Sequence, residues 1–166
     1  MRISTRSEYG LRALMELGQG ERAMSLRDIA NRQHISLDYL EQIMPALKSA
    51  GLIVARRGAQ GGYQLSRAAE SITVYDVLSA LEGNLDPMQC LSDGVPHEPE
   101  GSPFPDGCGA SGACAVQEVW RQVKNVVEAV LRKITLAQLA ERQQRRYGGP
   151  LRTSSDHEFM RLVVLS

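Results

Sequence analysis

The stretch SLRDIANRQHISLDYLEQI, residues 25–43, carries the signals of two helices separated by a very short connection. Ser25 precedes LRDIANRQ and is followed three residues later by an aspartate, which is the pattern of a helix N-cap. Ser36 stands in the same position before LDYLEQIMPALKSAG, in which apolar residues recur at helical spacing through Leu47. Two short helices joined by about three residues predict a helix-turn-helix.

A β-hairpin is predicted directly after these helices. The stretch LIVARRGAQGGYQLS, residues 52–66, reads as two short strands around a glycine-rich turn. A helix also precedes the pair, beginning at a Thr5–Glu8 capping box and ending at Gly18. The order helix, helix, helix, hairpin predicts a mainly α fold, a winged helix-turn-helix with a small β-hairpin wing.

The rest of the chain divides by composition. A Thr73–Asp76 capping pair starts a fourth helix, which closes a DNA-binding domain at residues 1–82. Residues 83–113 form a loop rich in proline and glycine, and residues 114–141 form a long helix. Residues 142–166 are a polar tail that we expect to be mobile.

The long helix carries an apolar seam at heptad spacing, which is typical of helices that pair. We therefore predict that it is a dimerisation helix and that the protein is a homodimer. The alternative is an ordinary helix packed on its own domain. The seam consists of Val116, Trp120, Val123, Val127, Val130 and Ile134, widened by Val119, Val126 and Leu131.

The second helix of the helix-turn-helix is predicted to enter the major groove of double-stranded DNA, and a dimer would present two such helices to a pseudo-palindromic site. Its exposed first turns and the arginines and glycines of the wing supply donors and acceptors for bases and phosphates. The DNA-binding candidates are Ser36, Asp38, Tyr39, Glu41, Gln42, Arg56, Arg57, Gly61 and Gly62.

Composition limits the other function classes. The net charge is zero, so a DNA-binding site must be a local basic patch. No apolar run is long enough for a membrane span and the N-terminus lacks the apolar core of a signal peptide, so we expect a cytoplasmic protein without membrane contact. No nucleophile–base pair, phosphate-binding loop or paired carboxylates indicate an enzyme.

All three cysteines, Cys90, Cys108 and Cys114, lie in the loop or at its border with the long helix. An odd number of thiols in a reducing compartment argues against a disulfide framework. Three thiolates on a glycine-rich backbone suit an iron–sulfur cluster, or a zinc site with His97 as fourth ligand. A thiol-only redox switch and cysteines without a special role are the alternatives.

Several stretches together resemble the Rrf-type winged-helix regulators, which include the iron–sulfur-assembly regulator and the nitric-oxide-sensing repressor. They are MRISTRSEYGLRAL at the N-terminus, ISLDYLEQI, RRGAQGGYQLS and CAVQEVW, and the similarity covers about residues 1–140. The resemblance implies a homodimeric bacterial transcription factor in which Glu41 helps to discriminate DNA sequences. It also implies that the loop cysteines hold a [2Fe–2S] or [4Fe–4S] cluster.

Several groups could supply the fourth ligand of such a cluster. Gln117 occupies the position at which the cluster-assembly regulator has a histidine ligand, and an amide is a poor ligand. Glu8 matches an acidic ligand of the nitric-oxide sensor that comes from the other subunit, although Glu8 is also part of the predicted capping box. His97 and a group from outside the protein are further choices.

The sequence therefore predicts a regulator, a repressor by preference, whose DNA affinity depends on a cluster that senses redox state, nitric oxide or iron supply. One alternative is a cluster-free repressor of the same fold that responds to thiols or metabolites, like the cluster-free members that control cysteine supply. A small iron–sulfur carrier without a DNA role is a weaker alternative.

Overall fold

The structure is a computed structural model of the chain. It describes residues 3–20, 22–58, 61–88, 91 and 115–147. Helices and a single hairpin follow one another in these ranges, and a short 3₁₀ turn at Ala69–Ser71 precedes the fourth helix. The elements are α1 (Thr5–Gly18), α2 (Leu26–Gln33), α3 (Leu37–Ser49), β1 (Ile53–Arg56), β2 (Gly62–Leu65), α4 (Val74–Glu82), α5 (Ala115–Lys133) and α6 (Leu136–Tyr147).

An aliphatic core lies between α1, α2, α3, α4 and the hairpin. The inner face of α3 is formed by the apolar residues that the spacing predicts, and each of them is buried. The helix continues through the exposed Pro45. Because one face of α3 is fully used by the core, its opposite face is left for solvent or a ligand. The buried residues of α3 are Leu40, Ile43, Met44 and Leu47.

Local capping fixes where α2 and α4 begin. The Ser25 hydroxyl accepts from the backbone N–H of Asp28 at 3.1 Å, as predicted for the start of α2. Thr73 and Asp76 form a complete capping box at the start of α4, with bonds of 3.0 and 3.1 Å. Between α2 and α3, His34 adopts the left-handed conformation with φ 51°, which turns the chain sharply at the helix-turn-helix corner. The predicted winged helix-turn-helix is confirmed.

The wing is a two-stranded antiparallel hairpin in which Arg56 pairs with Gly62 and Ile53 pairs with Leu65. A third segment lies along the other edge of β2, where Met24 and Tyr63 exchange two backbone hydrogen bonds of 2.8 Å. This pairing ties the wing to the residues that lead into α2. The wing is therefore joined to the helix-turn-helix at two places, by the α3–β1 connection and by the backbone pairing of Tyr63 with Met24.

The start of α1 differs from the prediction. Its N-cap is Ser4, whose amide and hydroxyl donate to Glu82 Oε1 at 2.9 and 2.6 Å. The Ser7 hydroxyl donates to the same carboxylate oxygen. The predicted Thr5–Glu8 capping box is therefore wrong. The reason is tertiary, because a carboxylate from the end of α4 lies at the positive end of α1 and takes over the cap.

We expect Glu82→Gln to lower the free energy of unfolding by about 1–2 kcal/mol at neutral pH. Burial alone would raise the pKa of Glu82, but the hydrogen bonds from Ser4 and Ser7 and the charge of Arg6 hold it below its ordinary value of 4.5. Because the folded-state pKa of Glu82 is lowered, its charged carboxylate stabilises the protein above pH 4.5. This stabilisation is lost as the pH falls through the folded-state pKa.

Urea unfolding measured from neutral pH downward checks this prediction. The deficit of Glu82→Gln should shrink as the pH falls below 4.5. Glu70→Gln, at an exposed carboxylate of the 3₁₀ turn, is the matched control and should show almost no deficit. A deficit in Glu82→Gln that stays constant across this pH range would contradict the role of the charge.

The long helix predicted from Cys114 to about Glu141 is divided into two in the structure. Helix α5 ends at Lys133, and α6 begins at Leu136 and continues to Tyr147. The predicted tail therefore contributes its first six residues, 142–147, to α6, whereas residues 148–166 lie outside the described ranges. Helix α6 folds back and packs on α1 and on the 3₁₀ turn.

The break between α5 and α6 has a local and a tertiary cause. The carbonyl of Ile134 accepts from the Val74 N–H at 2.8 Å, and the Leu136 N–H donates to the Ile72 carbonyl at 2.9 Å. The Thr135 hydroxyl then accepts from the N–H of Gln138 at 3.3 Å and caps α6. None of the helices in the described ranges has both the length and the apolar character needed to cross a membrane.

Candidate DNA-binding surface and anchors of the cysteine loop

The exposed side of α3 carries most of the predicted base-reading residues. Ser36, Asp38, Glu41 and Gln42 are all exposed, and the last three share one helix face because Glu41 and Gln42 follow Asp38 by three and four residues. Tyr39 is only partly exposed, since its ring packs edge-on against Tyr9 of α1 with 5.5 Å between the ring centres. The structure thus brings four candidates onto one surface and places the fifth at its border with α1.

The wing presents its two arginines differently. Arg56 and Arg57 are both exposed. With the Gln64 amide turned so that its oxygen faces the Arg56 guanidinium, that oxygen accepts from Arg56 Nη2 at 3.0 Å and from Nε at 3.3 Å. Within the described ranges, Arg57 makes no hydrogen bond or ion pair. Arg57 is therefore the more available of the two for an external anion.

The structure gives a packing reason, not evident from the sequence, for the glycines of the wing at positions 61 and 62. A Cβ atom on Gly62 would lie 2.2 Å from the Met24 carbonyl oxygen, and one on Gly61 would lie 2.7 Å from the Arg56 carbonyl oxygen. Gly62 also has φ 156°. Both positions therefore require glycine for the chain to pack against itself, whether or not DNA is bound. Their predicted contact with a phosphate remains a prediction.

A buried polar network between α1 and the end of α2 was not predicted. Glu16 and Gln33 are each only 2% exposed. Gln33 Nε2 donates to Glu16 Oε2 at 2.7 Å, and Arg32 Nη1 donates to Glu16 Oε1 at 2.9 Å. Arg12 Nε donates to Gln33 Oε1 at 3.3 Å, and Arg12 Nη2 donates to the Gln33 carbonyl. The only sequence signal was a glutamate within the apolar run of α1.

The structure describes only some of the candidate cluster ligands. Cys90, Cys108, Cys114 and His97 lie outside the described ranges. Glu8 is partly exposed, and its carboxylate lies 3.6 Å from Arg12 Nη1. Within the described ranges, His, Cys, Asp and Glu side chains form no group of three that could hold a metal ion.

The beginning of the cysteine loop is anchored on α4 and α5. Leu85 is buried against Val74 and Leu78 of α4. The Asp86 carboxylate forms an ion pair with Lys124 in the middle of α5. Leu85 and Asp86, at the start of the loop, are therefore held beside α4 and α5, and α5 follows directly after Cys114 in the sequence.

Helix α5 leaves one apolar face uncovered. Helix α4 packs on the adjacent side of α5, where Leu131 contacts the cluster around Leu78. Most of the predicted seam stays exposed, although Val127 and Ile134 are half-buried and Ile134 lies beyond the end of α5. The exposed apolar residues are Val116, Val119, Trp120, Val123, Val126 and Val130.

Comparison with known proteins shows which family the chain belongs to. The model of the Rrf2 family, described as "Iron-dependent Transcriptional regulator", matches residues 3–142. The HTH-type transcriptional regulator IscR of Escherichia coli is 32% identical over 146 residues, which cover 87% of this chain and 83% of that protein. The solved structure of IscR from T. potens has a TM-score of 0.66 at 33% identity, covering 95% of this chain and 96% of that chain.

A second relative is the HTH-type transcriptional regulator CymR of Bacillus subtilis, 36% identical over 142 residues that cover 84% of this chain and 90% of that protein. Its structure, described as that of the global cysteine regulator, has a TM-score of 0.65 and covers 85% of this chain and 97% of that chain. The relatives are regulators and not enzymes. The chain belongs to the Rrf2 family of DNA-binding transcriptional regulators.

Proposed function

We propose that this protein is a homodimeric repressor that acts in the cytoplasm on a pseudo-palindromic DNA site. We further propose that an iron–sulfur cluster, held by Cys90, Cys108 and Cys114, controls its affinity for that site. The observation that carries the DNA-binding part is the exposed polar face of α3 on a winged helix-turn-helix framework. Exposed helix residues of this kind can form hydrogen bonds with base edges in the major groove.

The wing and α3 have different tasks in this proposal. Asp38, Glu41 and Gln42 face the bases, with Ser36 and Tyr39 at the edge of the same surface. Carboxylates and amides distinguish bases by accepting from cytosine or by pairing with adenine. Arg57, supported by Arg56 and the backbone of Gly61 and Gly62, contacts phosphates, which adds affinity without sequence preference.

Arg57→Ala should lower the affinity for every duplex and reduce the slope of log affinity against log salt by about 1. The physical reason is that one fewer phosphate is neutralised and one fewer counterion is released. Fluorescence anisotropy over a salt series measures both quantities. Arg145→Ala, which removes an arginine of α6 that is paired with Glu141, serves as the control. An unchanged salt slope in Arg57→Ala would show that the wing does not contact phosphate.

The dimer is supported by the uncovered face of α5. Six large apolar side chains on one helix face are a larger exposed patch than scattered surface residues, and such patches mark interaction sites. The pairing of two copies of α5 along this face would bury it. The resulting two-fold symmetry would present two α3 helices to the two halves of a palindrome.

The donor set of the loop fits an iron–sulfur cluster. Cys90 lies four residues after the anchored Asp86, a stretch that reaches at most about 14 Å. The helix from Lys124 back to Ala115 spans a similar distance, about 14 Å. The chain therefore permits the Cys90 and Cys114 sulfur atoms to meet beside the first turn of α5. A cluster bound there would supply a group that reacts with oxidants and nitric oxide.

The fourth ligand is proposed to be Glu8 from the partner subunit. Its carboxylate is partly exposed, and its contact with Arg12 is long enough, at 3.6 Å, to be exchanged for a stronger one. The buried amide of Gln117, which is 8% exposed, is a weaker ligand by chemistry. A ligand from the second subunit would link the dimer to occupancy of the site.

The family description and one relative favour different signals. The family description names iron, whereas the CymR structure is described as that of a cysteine regulator. A cluster-free repressor that responds to thiols or metabolites is therefore the second candidate function. The carrier hypothesis has lost its support, because the chain belongs to a family of transcriptional regulators.

Iron and acid-labile sulfide analysis of protein purified without oxygen tests the proposal. We expect both elements in the protein, together with visible absorption. Colourless, iron-free protein that nevertheless binds its duplex and responds to cysteine or a thiol oxidant would establish the second candidate instead.

A further inference from the structure

The buried network between α1 and α2 ends at the corner that orients α3. Gln33 is the last residue of α2, and the left-handed His34 follows it directly. Ile35 is buried in the core, and α3 begins two residues later at Leu37. So short a connection allows little slack, and any movement of the Gln33 end of α2 displaces the first turns of α3.

Gln33 is fixed on three sides. Its amide donates to Glu16 at 2.7 Å, its side-chain oxygen accepts from Arg12 at 3.3 Å, and its backbone carbonyl accepts a second bond from Arg12. That carbonyl belongs to the last turn of α2, where helix carbonyls lack intrahelical partners and a positive charge is favoured. Arg12 therefore acts as a tertiary cap for the end of α2.

Helix α1 also touches the exposed side of α3. The ring of Tyr9 lies edge-on to Tyr39, and the Arg12 guanidinium lies 5.5 Å from the centre of the Tyr9 ring. The same stretch of α1 thus holds both the end of α2 and the border of the base-reading surface.

We propose that Gln33 is a positioning residue for DNA sequence discrimination, acting through the orientation of α3 and without contacting DNA. Base contacts need donors and acceptors within about 0.5 Å of the correct position, whereas long arginine side chains tolerate more displacement at phosphates. The inference rests on the proposed reading of bases by α3. It goes beyond that proposal by assigning specificity to a buried residue.

Gln33→Met is the test, because methionine has a similar length but cannot make the two side-chain hydrogen bonds to Glu16 and Arg12. The probes are the duplex that the wild-type protein selects from a random library and a duplex of unrelated sequence, measured at a temperature where all variants are folded. We expect the ratio of the two affinities to fall about 10-fold, which is the effect of losing one good base contact. The affinity for the unrelated duplex should stay within about twofold of wild type.

Val77→Ala is the matched control, because it destabilises the core in α4 at a fully buried position and should leave the ratio unchanged. Gln33→Asn, which keeps the amide but shortens the side chain, provides a milder variant and should lower the ratio in the same direction. An unchanged ratio in Gln33→Met or Gln33→Asn, or an equal loss in Val77→Ala, would overturn the inference. A wild-type protein that does not distinguish the two duplexes would overturn the reading of bases by α3 as well.

Discussion

Replacing Val123 with aspartate is expected to produce monomers and to lower the affinity for the selected duplex by at least about 100-fold. Val123 is 40% exposed near the middle of the uncovered face of α5, and Trp120 and Val126 flank it on that face. Pairing of α5 with a second α5 would bury a carboxylate at this position without a partner, which is costly. A monomer would also lose the linked second half-site and with it the gain from bivalent binding.

Sedimentation analysis measures the change in mass, and fluorescence anisotropy measures the change in affinity. Asn125→Asp is the control, because it adds the same charge on the exposed polar side of the same helix. Trp120, the only tryptophan of the chain, lies on the apolar face and reports its burial by the wavelength of its emission. A Val123→Asp protein that stays dimeric with unchanged DNA affinity would show that another surface joins the subunits.

Simultaneous replacement of Cys90, Cys108 and Cys114 by serine is expected to remove all bound iron, acid-labile sulfide and visible absorption. Serine hydroxyls are not deprotonated at neutral pH and are hard ligands, so they do not replace thiolates at an iron–sulfur cluster. The winged domain should keep its stability, because the core that the structure describes between α1, α2, α3, α4 and the hairpin is built from other, mostly aliphatic side chains.

Metal analysis, absorption spectroscopy and thermal unfolding check this prediction. His97→Ala is the control within the same loop, and iron should remain bound to it if Glu8 is the fourth ligand. Iron and colour retained by the triple serine protein would show that the metal is held elsewhere. Loss of iron from His97→Ala alone would instead move the fourth ligand to that histidine.

The winged helix-turn-helix could be predicted from the sequence because its signals are local. Ser25 with Asp28, Thr73 with Asp76 and the apolar spacing of α3 each act within one or two turns of a helix. Predictions failed where distant residues decide the structure. The cap of α1 comes from Glu82, on another helix and 78 residues from Ser4.

The division of the long helix shows a different limit. The Thr135–Gln138 pair at the start of α6 is a recognisable capping signal. The apolar period nevertheless continues across it, because Ile134 and Leu136 pack on the core of the same chain. A continuous stripe of apolar residues cannot by itself distinguish a helix that ends and turns back from one that continues.

The DNA-binding candidates were easier to find than the residues that hold them in place. Asp38, Glu41 and Gln42 could be chosen because they fall between the core positions of α3. The Glu16–Gln33 contact joins two helices across 17 positions in sequence, and no local pattern indicates it. Tertiary hydrogen bonds of this kind become visible only when the fold is known.

In the proposed function, occupancy of the cysteine site changes how tightly the protein binds DNA. The most direct measurement is the affinity of one oxygen-free, iron-containing preparation for its selected duplex, before and after its iron is removed with a chelator. A coupling of the usual size for allosteric regulators predicts a difference of about 5–150-fold between the two states, and the triple serine protein should show the affinity of the iron-free state in both measurements. Equal affinities before and after iron removal would show that the cluster does not control DNA binding.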